Sequence, residues 1–220
     1  MTGGEAMEYW IEDPRPIAAR APYTFFLPSA EELGALEEGD LVKLLFEYGI
    51  EVEKWGAERM WVTVTAIEGD EVVGALANVP DEPRSPLSLG DSIRFLRQHA
   101  LAVLWAEGKD GPKPPEYREY WDRCMVDDCV IEDGVPVEYL YREQPDMGKP
   151  GDRYPDSGWR IRGRQGDTSD ADMDARTASY VALGLVLNKD DSWLELINAP
   201  VGAAFMRNSA SGEYEAVEPA

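Results

Sequence analysis

Glycine–aspartate pairs set before short apolar runs are the feature that most constrains the fold of the first half of this sequence. Gly39, Gly69 and Gly90 are each followed by aspartate and then by a run rich in β-branched or aromatic residues. Such pairs favour tight turns, because glycine accepts positive φ and aspartate bonds to its own backbone. Three of them between residues 39 and 91 predict a small, strongly bent antiparallel sheet or barrel.

Alternating apolar residues indicate strands with one buried face in the runs 41–48 and 60–67. The second run turns at Gly69 into another strand, which is a two-residue hairpin signal. A capping box formed by Ser29 and Glu32 predicts a short helix ahead of these strands. From Ile93 the apolar spacing becomes helical, and this predicts a helix that finishes the unit.

Closely spaced prolines divide the chain into two parts. Pro112, Pro114 and Pro115 suit a stiff connector better than a helix or a central strand. We therefore predict four segments. They are an amino-terminal extension at 1–21, a β-rich domain at 22–106, a Pro/Gly-rich linker at 107–119 and an α+β domain at 120–218.

The second half mixes short strands with short helical segments. The run 124–131, Asp133-Gly134 and the run 136–143 together predict a second hairpin. The remaining predicted elements are a strand at 158–164, helices at 179–187 and 191–197, and closing strands at 202–207 and 213–217. The predicted fold class is α+β, with a barrel-like antiparallel sheet and flanking helices first and an α+β domain after it.

Acidity extends over the whole chain, whose net charge is −22. Residues 1–106 hold 19 acids and 8 bases, and residues 107–220 hold 24 and 13, so each part contributes −11. This charge repels phosphate backbones and anionic membranes and attracts basic proteins. We therefore expect a basic protein partner and neither nucleic acid nor a membrane, since no window approaches the ~18 apolar residues of a membrane span.

Cys124 and Cys129 are the two cysteines of the chain. In one strand they would lie about 16 Å apart, beyond the roughly 7 Å between Cα atoms that a disulfide allows. Two thiols and one histidine also make a poor zinc site. We expect free, buried cysteines and neither metal nor cofactor. The amino terminus shows no basic leader or apolar core, so we expect a cytoplasmic protein.

Asp170, Asp172 and Asp174 have the spacing that opens a calcium loop. That loop needs glycine at its sixth position and glutamate at its twelfth, where this sequence has Ala175 and Val181. The pattern therefore favours a solvated acidic loop that faces a partner.

Arg160, Arg162 and Arg164 alternate, so on a strand they would point to the same side. They suit an anion, but the acids at 167–174 follow closely and favour internal ion pairs. Trp159 lies between two polar loops, where a partly exposed indole beside arginine would anchor a partner and core packing is the alternative. The predicted partner-binding residues are Asp146, Asp156, Trp159, Arg160, Asp167, Asp170, Asp172 and Asp174.

His99 is the only histidine, so any histidine-based catalytic or metal site would need it. No nucleophile elbow, HExxH, phosphate-binding glycine loop or paired CxxC accompanies it. We predict no catalytic residues and a non-enzymatic binding protein. The alternatives are an enzyme that acts on a small substrate through paired carboxylates or His99 in an interdomain cleft, and a regulatory scaffold.

Two stretches resemble bacterial families. Residues 22–106 resemble a small domain family of unknown function in the pieces PYTFFLPS, GDLVKLLFE, GAERMWVTV and LSLGDSIRF. Residues 124–215 resemble an immunity-protein-like family of polymorphic toxin systems in the pieces CMVDDCVI, YLYREQPD, PDSGWRIR and NAPVGAAFMR.

The second resemblance implies that this domain neutralises a toxin made by the same or a neighbouring bacterium. Neither resemblance implies catalytic residues. The segments MGKPGDRY and RGRQGDTSD on either side of the DSGWR piece depart from the family's pattern, so the identity of the partner is not carried over.

Overall fold

The computed structural model describes residues 8–218, apart from the side chains of Asp170 and Asp174. The chain divides into two compact units. The first contains residues 8–20 and Phe25–Tyr117, and the second contains Ala21–Thr24 and residues 118–218. Each unit is built on a six-stranded sheet with a few short helices, which confirms the α+β fold class.

The first unit is a nearly closed, barrel-like antiparallel sheet. Strands pair in the order β1-β2-β3-β4-β5, and β6 also pairs with β2. The strands are β1 (Tyr9–Ile11), β2 (Leu41–Tyr48), β3 (Ala57–Glu68), β4 (Glu71–Leu76), β5 (Ser92–Leu96) and β6 (Ala102–Leu104). The helices are α1 (Arg15–Arg20), α2 (Ala30–Gly34) and a 3₁₀ turn at Arg97–His99.

Most local predictions for this unit are confirmed. Every second residue of β2 is buried, as the alternation predicts. Glu68 pairs with Glu71, so a two-residue turn joins β3 to β4. Ser29 and Glu32 form both hydrogen bonds of the capping box at the start of α2.

The predicted helix from Ile93 is wrong. Residues 92–96 form β5, which pairs with β4, and residues 102–104 form β6, which pairs with β2. The pairing buries Ile93 and Phe95, which are two residues apart, as in a strand. Leu96 and Leu104, which a helix would have turned inward, are 39% and 52% exposed.

The second unit has a mixed sheet in the order β10-β7-β9-β8-β11-β12. The strands are β7 (Arg123–Asp127), β8 (Val137–Arg142), β9 (Asp156–Gly163), β10 (Ala178–Ala182), β11 (Ala204–Arg207) and β12 (Tyr214–Val217). The helices are α3 (Asp128–Glu132), α4 (Asp170–Asp174), α5 (Leu183–Leu187) and a 3₁₀ turn at Leu194–Leu196. The predicted strand around Trp159 and the closing hairpin β11–β12 are confirmed.

The predicted hairpin at Asp133-Gly134 is wrong. The chain leaves β7 at Asp127 and forms α3, and β9 then inserts between β7 and β8. The buried Asp127 carboxylate accepts a hydrogen bond from the backbone N–H of Gly163. This bond ties the end of β7 to β9 rather than to β8. The predicted helix at 179–187 is half wrong, because residues 178–182 form β10 on the other side of β7.

Both cysteines are free, as expected. Cys124 lies in β7 and is buried, which raises the pKa of its thiol and keeps it protonated. Cys129 is only half-buried and lies in α3, so the two do not share the strand that the sequence suggested. Within residues 8–218, no helix is long and apolar enough to cross a bilayer.

Candidate functional site

The sheet of the second unit has two different faces. Helices α3 and α5 and the turn at Leu194–Leu196 pack on one face, where Leu140, Trp159 and Ile161 are buried. Side chains alternate along a strand, so the neighbours of these residues point to the opposite face. That second face is called the open face from here on.

The open face carries aromatic, apolar and charged side chains from all six strands. Its larger members are Met125, Tyr139, Tyr141, Arg160, Arg162, Tyr180, Met206 and Val217. The rings of Tyr139 and Tyr141 stack with their centroids 5.5 Å apart. A cleft of about 340 Å³ lies on this face, and Met125, Tyr141 and Arg162 line it.

Arg160 is the buried centre of the open face. Its Nε–H donates to Glu143, one Nη donates to Asp146 at 2.9 Å, and two more N–H groups donate to the two carboxylate oxygens of Asp156 at 3.0 and 3.1 Å. The fifth donates to the backbone carbonyl of Trp159 at 3.2 Å. An arginine has five N–H donors, so Arg160 has none left for a partner's anion. Its role is to hold the loop after β8 against the start of β9.

The Asp156 carboxylate is buried together with Arg160. Burial alone would raise its pKa, but hydrogen bonds from Arg160 and from the backbone N–H groups of Gly158, Met147 and Asp146 outweigh burial and lower the pKa to about 2. Asp156 is therefore ionised at neutral pH and fully engaged inside the protein. The prediction that it faces a partner is wrong in this respect, because its side chain is only 1% exposed.

The middle residue of the DSGWR piece, Gly158, has to be a glycine for two structural reasons. Its φ is +81°, a backbone conformation that residues with a side chain rarely adopt. A Cβ at this position would lie 2.2 Å from the carbonyl oxygen of Glu143, and the backbone would have to move. Its own carbonyl accepts the N–H of Glu143 at 2.9 Å. The glycine thus allows β9 to approach the segment after β8, which carries Glu143 and Asp146, two of the acids that pair with Arg160.

Gly158→Ala should lower the free energy of unfolding by about 2 kcal/mol, because it adds both a left-handed strain and a backbone clash. Urea unfolding of the wild type and the variant measures the difference. Gly166→Ala is the matched control, since Gly166 also has positive φ (55°) but has open space around a Cβ. An equal effect of the two substitutions would show that the close approach to Glu143 contributes nothing.

Trp159 is fully buried, so the prediction of a partly exposed anchor is wrong. The indole packs against Trp193 and Phe205 at centroid distances of 5.8 and 6.5 Å, and its N–H donates to the carbonyl of Ile197. Trp159 points to the helix-covered face because it alternates with Arg160 along β9. It therefore supports the sheet and does not reach a partner.

The alternating arginines form internal ion pairs, as favoured, but with acids other than those predicted. Arg162 pairs with Asp127 at 2.9 Å, and Arg164 approaches Glu138 at 3.8 Å. These acids come from β7 and β8, the strands on either side of β9, and not from the segment 167–174. Sheet pairing brings them together across the chain.

Acids with exposed side chains lie at the two ends of the open face. Asp146 is 71% exposed in its side chain although it pairs with Arg160. At the other end, the carbonyl of Met173 in α4 accepts a hydrogen bond from Arg162. Ser169 caps α4 by accepting the N–H of Asp172, so this segment is a short helix and not the predicted loop.

The eight predicted partner-binding residues do not form one cluster in the structure. Asp146, Asp156 and Arg160 meet at one end of β9. Asp167 and Asp172 are exposed in and before α4, and the side chains of Asp170 and Asp174 lie outside the described part of the chain. Tyr139, Tyr141 and Met206 are not among the predicted residues, although their alternation with buried Leu140 and half-buried Phe205 is the signal that identifies the open face.

His99 lies in the first unit, in the 3₁₀ turn after β5. Burial lowers the pKa of its imidazole, and its Nδ1 has no hydrogen-bond partner. An open cleft of about 480 Å³ beside it is lined by Tyr9, Trp10 and Arg94. Among the described side chains, no group of three or more histidine, cysteine, aspartate or glutamate residues could hold a metal ion.

Residues 124–218 match the family model described as the Immunity protein Imm33 domain. The match confirms the resemblance predicted for the second half of the chain, whereas the resemblance predicted for residues 22–106 stays a prediction. The matched segment runs from β7 to the end of β12, so it includes the open face. No curated protein and no solved structure matches the chain.

Proposed function

We propose that the second unit is an immunity domain that binds a protein toxin in the cytoplasm and blocks it by occlusion, without catalysing a reaction. The observation that carries this proposal is the match of residues 124–218 to an immunity protein domain. The match covers 95 of the 220 residues, from β7 to β12. The proposal therefore concerns this unit and leaves the first unit free for another role.

The open face is the surface that we assign to the toxin. Tyrosine, methionine and arginine are enriched in protein interfaces, and all three are present on this face. Met206 and Val217 are 41% and 38% exposed and flank the stacked tyrosines. A partly apolar surface built on a paired sheet suits a partner that covers it, because the sheet backbone is already ordered before binding.

Charge supports a basic toxin as the partner. The centre of the open face is balanced, since Arg160 and Arg162 are paired with acids of the same unit. Acids with exposed side chains remain at its ends, with Asp146 at one end and Asp172 at the other. A chain of net charge −22 attracts a basic partner over a distance, and these acids would then pair with lysines or arginines at the edge of the contact.

The experiment begins with capture of partners on the tagged, full-length chain from cells that produce it. Each captured protein is then expressed alone and together with the chain in a susceptible bacterial host. We expect one partner that stops growth alone and is harmless when the chain is present. A chain that protects against none of its captured partners would contradict the immunity role.

Met206→Lys should weaken binding to that toxin at least tenfold, because it places a charge in the apolar part of the open face and repels a basic surface. Leu185→Lys is the matched control. Leu185 is also 41% exposed and apolar, but it lies on α5, which packs on the opposite face of the same sheet. Calorimetry of the purified complex measures both affinities.

Equal losses for Met206→Lys and Leu185→Lys would remove the open face from the proposal while leaving the immunity role intact. Deletion of residues 145–174 would not test the open face, because that segment contains β9, which pairs with both β7 and β8. Its removal would disrupt the sheet itself.

A further inference from the structure

Trp55 is displayed at the surface of the first unit. It lies in residues 49–56, the connection between β2 and β3, which is called the Trp55 loop from here on. Half of its surface is exposed, which is unusual for the largest apolar side chain. Val79, in the segment that follows β4, is 73% exposed.

A buried carboxylate holds the backbone of the Trp55 loop. Glu82 is 2% exposed, and its side chain accepts the N–H groups of Glu53, Lys54 and Trp55 at distances of 2.7 to 2.9 Å. It also accepts the N–H of Arg84 at 3.1 Å. These hydrogen bonds lower the pKa of Glu82 to about 2 although burial opposes them, so the carboxylate is ionised at neutral pH.

Arg84 fixes the loop from the outside. Its side chain pairs with Glu53 at 2.8 Å and with Glu51 at 3.4 Å. The Trp55 loop is therefore held at its backbone by Glu82 and at two side chains by Arg84, while the indole stays in solvent. A loop whose backbone is held before binding loses little backbone entropy when a partner covers it, and tryptophan is enriched among the residues that dominate binding energy.

The charges around Trp55 select the occupant. Residues 47–58 and 77–84 contain the acids Glu47, Glu51, Glu53, Glu58, Asp81 and Glu82 and the bases Lys54 and Arg84. With six acids against two bases, this region repels a second copy of the chain, a nucleic acid or an anionic membrane. It attracts a cation, and an indole face binds lysine and arginine side chains by cation–π contact.

We infer that the Trp55 loop is a docking site for a lysine- or arginine-containing segment of a partner protein. The cationic side chain packs on the indole of Trp55, and Glu51 and Glu53 pair with the charges that flank it. None of these residues lies in the segment 124–218, so the inference is independent of the proposed toxin binding. It assigns an interaction to the first unit, which lies outside the matched segment.

The first experiment locates the contact on the full-length chain. All seven tryptophans are replaced by 5-fluorotryptophan, and the ¹⁹F resonance of residue 55 is identified from the spectrum of Trp55→Phe. The probe is a ten-residue peptide that alternates glycine and arginine. The control peptide has neutral citrulline in place of arginine. We expect the Trp55 resonance to shift on addition of the arginine peptide and to stay in place with the citrulline peptide.

The second experiment measures affinity by fluorescence polarisation of the labelled arginine peptide. Trp55→Ala should weaken binding about tenfold. Glu51→Gln with Glu53→Gln should weaken it several-fold and reduce its dependence on salt. The matched control is Glu68→Gln with Asp70→Asn, which removes the same charge at the opposite end of β3. We expect the control to change affinity less than twofold.

Three results would overturn the inference. A Trp55 resonance that responds equally to both peptides would mean that the contact does not recognise a cation. Equal losses for the two charge variants, with no loss for Trp55→Ala, would mean that the peptide is held by the overall charge of the chain. Self-association that disappears in Trp55→Ala, measured by sedimentation, would make a second copy the occupant.

Discussion

Replacement of Trp159 by alanine should lower the free energy of unfolding of the second unit by about 3–5 kcal/mol, the range typical of a large aromatic side chain removed from a core. Trp159 has no exposed surface, and it contacts Trp193 and Phe205, which reach it from the turn after α5 and from β11. The guanidinium of Arg142 lies 5.8 Å from its ring. Loss of the Trp159 indole would leave a cavity between β9, Trp193 and Phe205.

Urea unfolding followed by circular dichroism measures this effect, with the transition of each unit fitted separately because the chain has two units. Trp55→Ala is the matched control, since it removes the same side chain from an exposed position. We expect the control to change stability by less than about 0.5 kcal/mol. A loss below about 1 kcal/mol for Trp159→Ala would contradict the central place of this residue in the core.

The sequence around Trp159 suggests an exposed anchor because polar loops flank it on both sides. What buries the indole comes from far along the chain, namely α5, the turn at Leu194–Leu196 and β11. A local pattern cannot show such contacts. By contrast, β2 and β3 are predictable because each has an alternation of its own, and the Gly69-Asp70 turn places β4 next to β3.

The same distinction applies to the arginines of β9. Their alternation predicts correctly that they share a side of the strand and form internal pairs. The acids that pair with them are Asp127 and Glu138, on the two strands that β9 separates. Because β9 enters between β7 and β8 from outside the expected hairpin, the sequence order gives no indication of these neighbours. The acids next in sequence were the natural but wrong choice.

Arg160→Met should lower the free energy of unfolding by about 3 kcal/mol at neutral pH, because it leaves the Asp156 carboxylate buried without its cation. Asp156 is 1% exposed in its side chain and would keep only the backbone N–H groups of Gly158, Asp146 and Met147. Addition of Asp156→Asn to the variant should recover part of the loss, since the unpaired buried charge is then removed. Arg164→Met is the control. Its side chain is 54% exposed and lies 3.8 Å from Glu138, so we expect a change below about 0.5 kcal/mol.

The loss caused by Arg160→Met should shrink in acid. The folded state lowers the pKa of Asp156 from 3.8 to about 2, so on acidification the unfolded chain takes up the proton first. The corresponding stabilisation, about 2 kcal/mol, is complete above about pH 4 and is lost as the pH falls towards 2. Below that point the wild type and the variant both carry a neutral Asp156, and their stabilities should converge. Urea unfolding at several values between pH 6 and about pH 2 tests this, because the acids that do not contact Arg160 are common to both proteins and cancel in the difference. A difference that stays constant over the whole range would show that Arg160 stabilises the sheet by packing and not by its charge.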